Sequence, residues 1–186
     1  MKNFRIVMIV GSLRKDSLNL QLAKNAETYL KDKVSVEILD YKEVPLLNQD
    51  IEIPAPGKVK EIREKIKEAD GIWFFTPEYN HFLPGVLKNL IDWLSRPVSN
   101  TEGQVLSGKP AAISGITPGM SGTGIAQDHL VTLLSYLNMD IMNLPRLTIP
   151  NAKQQVNDAG KLELTTSAPY LMKEADAFID FIKSRK

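Results

Sequence analysis

Short apolar runs alternate with segments of helical periodicity five times along this chain of 186 residues. The third apolar run, residues 71–75, has no polar side chain at all, which is typical of a central parallel strand covered on both faces. Repeated β-then-α units build a parallel, doubly wound sheet. No linker or internal repeat interrupts the alternation. The sequence therefore predicts a single α/β domain over residues 1–186, with helices on both faces of the sheet.

The periodicity also predicts where the elements begin and end. Strands are expected at residues 4–10, 34–39, 71–75, 110–114 and 140–142, the last of them resuming after Pro145. Helices are expected at residues 18–30, 57–69, 84–94, 124–137 and 167–183. The connection over residues 40–56 contains three prolines and several apolar residues, so we expect an ordered, non-helical loop packed on the body.

Composition excludes several kinds of function. A formal net charge of +1 gives no electrostatic reason to bind nucleic acid or an acidic membrane surface. The absence of cysteine excludes a disulfide framework, a thiolate nucleophile and an iron–sulfur cluster, and the two histidines lack metal-site spacing, so no metal site is expected. The first apolar run is short and carries Arg5, which fits neither a signal peptide nor a membrane span. A cytoplasmic location is the expectation.

The loop after the first strand is the most informative stretch for function. It begins at Gly11 and contains Ser12, Arg14 and Ser17 before helical periodicity starts at Leu18. Hydroxyl groups, an arginine and the free N–H groups of a helix start together form a cradle for an anion, most simply a phosphate. The alternative is that Ser17 or Asp16 only caps the helix.

This loop lacks the glycines of a dinucleotide fingerprint, since only Gly11 is present, and it lacks the Gly-Lys-Ser/Thr ending of a Walker loop. It is therefore neither of the two most common nucleotide-binding loops.

Two further loops have unusual compositions. Residues 76–85 combine prolines, aromatic rings and polar groups, which suits the wall of a pocket for a planar ring but is equally typical of an ordinary turn. Residues 115–124 carry four glycines, which permit a backbone to approach a ligand closely but also occur in flexible turns. In a sheet of order 2-1-3-4-5, the loops after strands 1, 3 and 4 converge beside the switch point, and ligands bind there.

Three motifs together resemble one family. They are Gly-Ser-Leu-Arg-x-x-Ser-x-Asn at residues 11–19, Pro-Glu-Tyr-Asn at 77–80, and Pro-Gly-Val-Leu-Lys-Asn-x-Ile-Asp-Trp at 84–93. In this order and spacing they closely resemble the NAD(P)H-dependent FMN reductases, a flavodoxin-like group that includes quinone, azo-dye and chromate reductases. The resemblance covers roughly residues 6–137. It implies a flavodoxin-like three-layer sandwich with a five-stranded parallel sheet of order 2-1-3-4-5.

The resemblance also implies positions for an FMN cofactor. The phosphate-binding positions would be Ser12, Arg14, Ser17, Leu18 and Asn19. The positions bordering the isoalloxazine ring and ribityl chain would be Pro77, Glu78, Tyr79 and Asn80. Ser114 and Gly115 would close the other side of the flavin. No catalytic side chain is implied, because the flavin itself carries the chemistry.

Arg96 is the remaining candidate, as a residue that contacts NAD(P)H or the substrate on the open side of the flavin. Alternatively, it is a cation that interacts favourably with the negative end of a helix dipole. His129 is expected to be structural or to lie at a subunit contact. Trp93 is either core packing or part of the motif's function. The resemblance further implies a homodimer or a dimer of dimers.

The function implied is an FMN-dependent oxidoreductase. NAD(P)H would transfer hydride to N5 of FMN and leave, and a quinone, azo compound, metal oxyanion or free flavin would then take the electrons in a ping-pong order. Two alternatives remain: a flavodoxin-type electron carrier without NAD(P)H activity, and a phosphate-binding module without a flavin. A net charge of +1 does not favour the carrier, since flavodoxins tend to be acidic. The sequence does not distinguish NADH from NADPH.

Overall fold

The computed structural model describes residues 4–185, in which six strands form one parallel sheet. The strands are β1 (Arg5–Val10), β2 (Ser35–Ile38), β3 (Gly71–Phe75), β4 (Pro110–Ile116), β5 (Asp140–Ile141) and β6 (Leu147–Ile149). Their order is β2-β1-β3-β4-β5, and β6 also pairs with β4. The order expected from the sequence is confirmed.

The fifth position of the sheet is shared by two short strands. β5 pairs with Pro110 and Ala111 at the start of β4, whereas β6 pairs with Ser114, Gly115 and Ile116 at its end. Between them, the chain leaves the sheet edge and returns. The expectation that this strand resumes after Pro145 is therefore confirmed.

Four α-helices connect successive strands and a fifth follows β6, and each bound of these helices lies within one residue of its predicted position. They are α1 (Leu18–Leu30), α2 (Gly57–Glu68), α3 (Gly85–Leu94), α4 (Gly124–Tyr136) and α5 (Ala168–Lys183). β4 is the element that differs most, because it extends two residues beyond the predicted end.

The sheet separates two hydrophobic cores, one on each face. Along β1, Val7 and Ile9 contribute to one core while Ile6 and Met8 contribute to the other, as the two-residue period of a strand requires. Helices α2, α3 and α4 cover the first face, and α1 and α5 cover the second. This is the predicted three-layer sandwich.

The loop over residues 40–56 is anchored by α3. The side-chain amide of Asn89 accepts a hydrogen bond from the Leu47 N–H and donates one to the Pro45 carbonyl, each at 2.8 Å. The indole Nε1–H of Trp93 donates to the same Pro45 carbonyl at 2.8 Å. Trp93 is fully buried, so it both packs and fixes the loop.

The same loop is less buried than its composition suggests. Val44 and Leu47 pack against a small cluster around Trp93. However, Leu46 is 82% exposed and Ile53 is 62% exposed. Ile51 is also exposed, in a single turn of 3₁₀ helix over Gln49–Ile51. The expectation of a loop packed on the body is therefore correct at Val44 and Leu47 but wrong at these three exposed residues, and the expectation that the loop has no helix is wrong at this turn.

A chain of hydrogen bonds crosses the core between β3, β4 and α5. The indole N–H of Trp73 donates to Ser114 Oγ at 2.8 Å, and the Ser114 hydroxyl donates to Glu174 Oε2 at 2.6 Å. All three side chains are fully buried. Burial raises the pKa of Glu174 to about 8, against the opposing effects of the Ser114 hydroxyl, the Leu147 backbone and the charge of Arg146.

We expect Glu174→Gln to change how stability depends on pH. Between the ordinary carboxyl pKa of 4.5 and about 8, the folded protein keeps a proton that the unfolded chain releases, so the free energy of unfolding falls as pH rises. The glutamine cannot titrate, and its amide oxygen still accepts from Ser114. Relative to the unchanged protein, the variant should gain stability by up to about 1.4 kcal/mol per pH unit across this window.

Urea unfolding at pH 5, 6, 7 and 8 measures this difference. Glu43→Gln, which removes an exposed carboxylate, is the matched control. Parallel pH profiles for Glu174→Gln and the unchanged protein would contradict a neutral, buried Glu174.

Candidate cofactor-binding site

Three loops leave the sheet at the same edge, the one formed by the carboxyl ends of the parallel strands. They are residues 11–17 after β1, 76–84 after β3 and 117–123 after β4. β3 lies between β1 and β4, so the three loops are neighbours. The strand order reverses between β1 and β3, which is the switch point where ligands bind in such sheets. The predicted convergence is confirmed.

The first loop presents an open anion cradle. Ser17 Oγ accepts a hydrogen bond from the Leu20 N–H at 3.4 Å and caps α1, so the capping interpretation of this side chain is correct. The first N–H groups of a helix have no partner within the helix. Arg14 is exposed and donates to the Asp16 carbonyl at 2.6 Å, and within residues 4–185 it forms no ion pair. Arg14, Ser12 and the helix start are therefore free to receive an anion.

The side chain of Asn19 joins α1 to β4. Its Nδ2 donates to the Ile116 carbonyl at 2.9 Å, and its Oδ1 accepts from the Ile116 N–H at 3.1 Å. The residue is only 3% exposed. Because both polar atoms of the amide bond to Ile116, the side chain is directed to β4, while the backbone N–H of Asn19 lies in the first turn of α1.

The second loop contains a tight two-residue turn. Tyr79 and Phe82 exchange backbone hydrogen bonds of 3.1 and 3.0 Å. Between them, Asn80 and His81 have φ angles of 52° and 58°, the combination found in a type I′ turn. The turn holds the ring of Tyr79, which is 51% exposed, at the edge of the site.

The carboxylate of Glu78 is engaged with the third loop's helix. Its Oε2 accepts from the N–H of Ala126, the third residue of α4, at 3.0 Å, and its Oε1 lies 3.3 Å from His81 Nδ1. The carboxylate thus compensates the positive end of the α4 dipole. Phe82 in the same turn packs on His129 of α4, with ring centroids 4.5 Å apart. These contacts link the second and third loops.

Near its end, just before the third loop, β4 has a position that only glycine can occupy. A Cβ on Gly115 would lie 2.0 Å from Thr123 Oγ1 and 2.5 Å from the Thr76 carbonyl oxygen. The close approach at this glycine is therefore to the protein itself. The neighbouring Ser114 directs its hydroxyl into the core toward Glu174, not toward the loops.

Sequence reasoning missed two residues that shape this edge. Tyr41 is buried, and its hydroxyl donates to the Val10 carbonyl at 2.6 Å, one residue before the first loop. Thr123 is buried against Gly115. Both residues lie in irregular segments without periodicity. The glycines on either side of Thr123 were the one sequence signal that pointed to its position, and no signal pointed to Tyr41.

Arg96 does not lie with the three loops of its own chain. It follows the carboxyl end of α3, about 15 Å of helix away from the second loop. Its Nε donates to Glu52 Oε1 at 2.7 Å. A different cation interacts with the negative, carboxyl end of α3, since Arg63 Nη2 donates to the Trp93 carbonyl at 3.0 Å. The helix-dipole alternative therefore describes Arg63 better than Arg96.

The described part of the chain, residues 4–185, holds no group of three or more side chains suited to a metal ion. In the same residues, no helix combines the length and apolarity needed to cross a membrane.

A parallel sheet of this order, with an anion cradle after β1 and further loops converging from β3 and β4, defines a flavodoxin-like α/β protein. The cradle and the exposed tyrosine suit a phosphate joined to a planar ring, which is the chemistry of FMN.

Comparisons with known proteins point to the same class of protein. The family described as NADPH-dependent FMN reductase matches residues 4–154. The chain is 36% identical to a 2-hydroxy-1,4-benzoquinone reductase of a Burkholderia species over 98% of both chains. It is 39% identical to an NAD(P)H-dependent FMN reductase of Pseudomonas aeruginosa, over 86% of this chain and 85% of the relative. The structure of FerB, an NAD(P)H:(acceptor) oxidoreductase flavoenzyme from Paracoccus denitrificans, superposes with a TM-score of 0.87 at 32% identity over 98% of each chain.

The chain therefore belongs to the NADPH-dependent FMN reductase family, whose members are oxidoreductases that use FMN with NAD(P)H as co-substrate. The family resemblance expected from the motifs is confirmed.

We expect Asn19→Ala to weaken both the fold and the phosphate cradle. The variant leaves the buried N–H and carbonyl of Ile116 without partners, which costs roughly 2–4 kcal/mol in the free energy of unfolding. It also frees the start of α1 from β4, so FMN affinity should fall. Urea unfolding and quenching of flavin fluorescence on titration measure the two effects.

Asn25→Ala is the control on the same helix, because Asn25 donates a single hydrogen bond to the Gln21 carbonyl within α1. If Asn19→Ala were no more damaging than this control, the Asn19–Ile116 link would not be what positions the loop.

Proposed function

We propose that this protein is a reductase that binds FMN at the three loops and passes electrons from NAD(P)H to a small-molecule acceptor, with quinones as the principal class. The observation that carries the proposal is the open anion cradle at the carboxyl end of β1, where the exposed guanidinium of Arg14 donates to the Asp16 carbonyl but forms no ion pair within residues 4–185. When bound, FMN supplies the redox chemistry by accepting a hydride at N5 and giving up two electrons.

The residues are assigned roles from their free groups. Ser12, Arg14 and the backbone N–H groups of Leu18 and Asn19 bind the phosphate, while Ser17 shapes the cradle as the helix cap. The segment Pro77–Asn80 borders the ring and the ribityl chain, with Tyr79 as its exposed aromatic wall. Gly115 contributes backbone, and Ser114 supports that backbone from the core. No side chain is required as an acid, base or nucleophile.

The acceptor assignment rests on relatives. Two relatives that align along nearly the whole chain are quinone reductases of Burkholderia and Escherichia coli, at 36% and 33% identity. Azo compounds, metal oxyanions and free flavin belong to the same proposed class, because an open electron-donating site discriminates weakly among oxidants. A cytoplasmic location is proposed because that is where NAD(P)H is supplied.

A flavodoxin-type carrier is not favoured. The family and the relatives are named as reductases, and the chain's net charge of +1 does not provide an acidic docking surface. A phosphate-binding module without a flavin is likewise not favoured, since the family is described by its use of FMN.

We further propose a homodimer, or a dimer of dimers, in which α3 and α4 face a second copy. Val86 on α3, and Ile125 and Tyr136 on α4, are exposed apolar residues, Tyr136 at 85%. Leu46, on the loop anchored to α3, is also exposed. In such an assembly Arg96 would reach the flavin site of the other copy. It could then contact NAD(P)H there, although it lies far from the three loops of its own chain.

The first test is the visible spectrum of the purified protein. We expect flavin absorbance that bleaches when NADPH or NADH is added without oxygen, because hydride transfer needs no partner protein. With a quinone as acceptor, initial-rate lines should be parallel, since donor and acceptor take turns at one site. A flavin spectrum that neither nucleotide changes would establish the carrier, and intersecting lines would exclude the ping-pong order.

The dimer is tested by Ile125→Asp. Placing a charge on the apolar face of α4 should shift the mass measured by light scattering from dimer to monomer at micromolar concentration, because burying an unpaired charge is costly. Tyr170→Asp on α5, on the opposite face of the sheet, is the control and should remain dimeric. A dimer that withstands Ile125→Asp would remove this face from the interface.

A further inference from the structure

The backbone pairing between β1 and β2 ends before β1 itself ends. The register of the two strands runs to Met8 and Ile38, and the Leu39 N–H then donates to the Met8 carbonyl at 2.9 Å. Alternate residues of a strand direct their backbone groups to the same side, so Val10, two residues further on, directs its carbonyl toward the same edge of β1. Val10 is the last residue of β1 and is followed directly by the first loop.

The side chain of Tyr41 supplies the donor that β2 no longer provides. Its hydroxyl donates to the Val10 carbonyl at 2.6 Å, and the residue is only 4% exposed. Burial, and after it the electrostatic effect of Tyr79, raise the pKa of this hydroxyl, so it remains a donor throughout the neutral range. On the other edge of β1, the Gly11 N–H donates to the Phe75 carbonyl of β3 at 2.8 Å. The point where the first loop leaves β1 is therefore held from both sides.

The segment that carries Tyr41 is itself fixed. The Tyr41 carbonyl accepts from the Val44 N–H at 3.1 Å, which closes a turn over residues 41–44. The next residue, Pro45, is held by Asn89 of α3 through its carbonyl. The Tyr41 hydroxyl thus ties the first loop to a segment that α3 already holds.

Tyr41 also lies beside the side chains of the anion cradle. A cavity of about 200 Å³ separates the first loop from residues 38–42, and its lining includes Tyr41 together with Ser12 and Arg14 of the loop. Residues 13–16 are all exposed, so the core contacts at the two ends of the loop decide where it lies. At the helix end these contacts are made by Ser17 and Asn19, and at the strand end by Tyr41.

We propose that Tyr41 is a positioning residue for the phosphate of FMN, because its hydroxyl fixes the strand end of the loop that presents Ser12 and Arg14. The inference rests on the proposed function, in which those two side chains bind the phosphate. Donors that are already in place bind a ligand more tightly than donors that must be ordered on binding. The isoalloxazine ring and the ribityl chain are assigned to the other two loops, so the Tyr41 hydroxyl should influence the phosphate selectively.

The test compares FMN with riboflavin, which has the same ring and ribityl chain but no phosphate. Titration of the flavin-free, full-length protein, followed by quenching of flavin fluorescence, gives both dissociation constants. Tyr41→Phe keeps the buried ring and removes only the hydroxyl. We expect its affinity for FMN to fall about tenfold, the scale of one lost hydrogen bond, and its affinity for riboflavin to fall by less than about twofold. A purely structural role would weaken both flavins alike.

Tyr29→Phe is the matched control, because it removes a hydroxyl that donates to Asp176 Oδ2 at 2.7 Å from the last turn of α1, at the opposite end of the helix from the cradle. It should leave the ratio of the two affinities unchanged. An unchanged ratio in Tyr41→Phe would overturn the proposal, as would an equal fall in Tyr29→Phe. These results would leave the proposed function intact, whereas failure of the unchanged protein to bind either flavin would refute the cofactor assignment and this inference together.

Discussion

The site depends on how the end of β4 is held, and the side-chain amide of Asn19 makes the principal contact there. That amide closes two hydrogen bonds on the backbone of Ile116 and so ties the start of α1 to the strand. One residue earlier, Gly115 lets Thr123 and the Thr76 carbonyl approach too closely for any side chain. The Thr76 N–H also bonds to the Ser114 carbonyl at 2.9 Å. Three consecutive residues of one strand therefore hold all three loops in a fixed relation.

Several residues of the family motifs form contacts that hold this scaffold together. Glu78 caps α4 and joins the second loop to the third, and Asn89 and Trp93 hold the loop that follows β2. A buried polar group without a partner costs roughly 1–3 kcal/mol, so these contacts are strongly specified. Among the described residues, backbone groups, Tyr79 and the guanidinium of Arg14 are exposed at this edge, and these suit a cofactor that brings its own reactivity.

Charge is distributed unevenly on a chain that is almost neutral overall. On α2, Lys65 and Lys67 are neutralised by glutamates, and their pKa values are raised by the hydrogen bonds they donate to those carboxylates. Beside the phosphate cradle, Lys15, Lys24 and Lys161 are exposed and form no ion pair within residues 4–185. In the core, burial raises the pKa of Glu174 to about 8 against the opposing hydrogen bond from Ser114, so the protonated form predominates at pH 7. Positive potential is thus concentrated where a phosphorylated ligand is expected.

The periodicity of the sequence by itself predicted a parallel α/β sheet and the helix bounds to within one residue, because short windows of sequence encode both. The strand order, and with it the edge where the three loops meet, came from the resemblance of the motifs to a known family, since periodicity does not record which strands are neighbours. Only the tertiary structure decided where the side chains point. Asn19 and Ser114 turn into the protein, Leu46 remains exposed, Arg96 lies a helix away, and Lys161 joins Lys24. Such contacts join residues far apart in the chain, and no local pattern records which partner a side chain will meet.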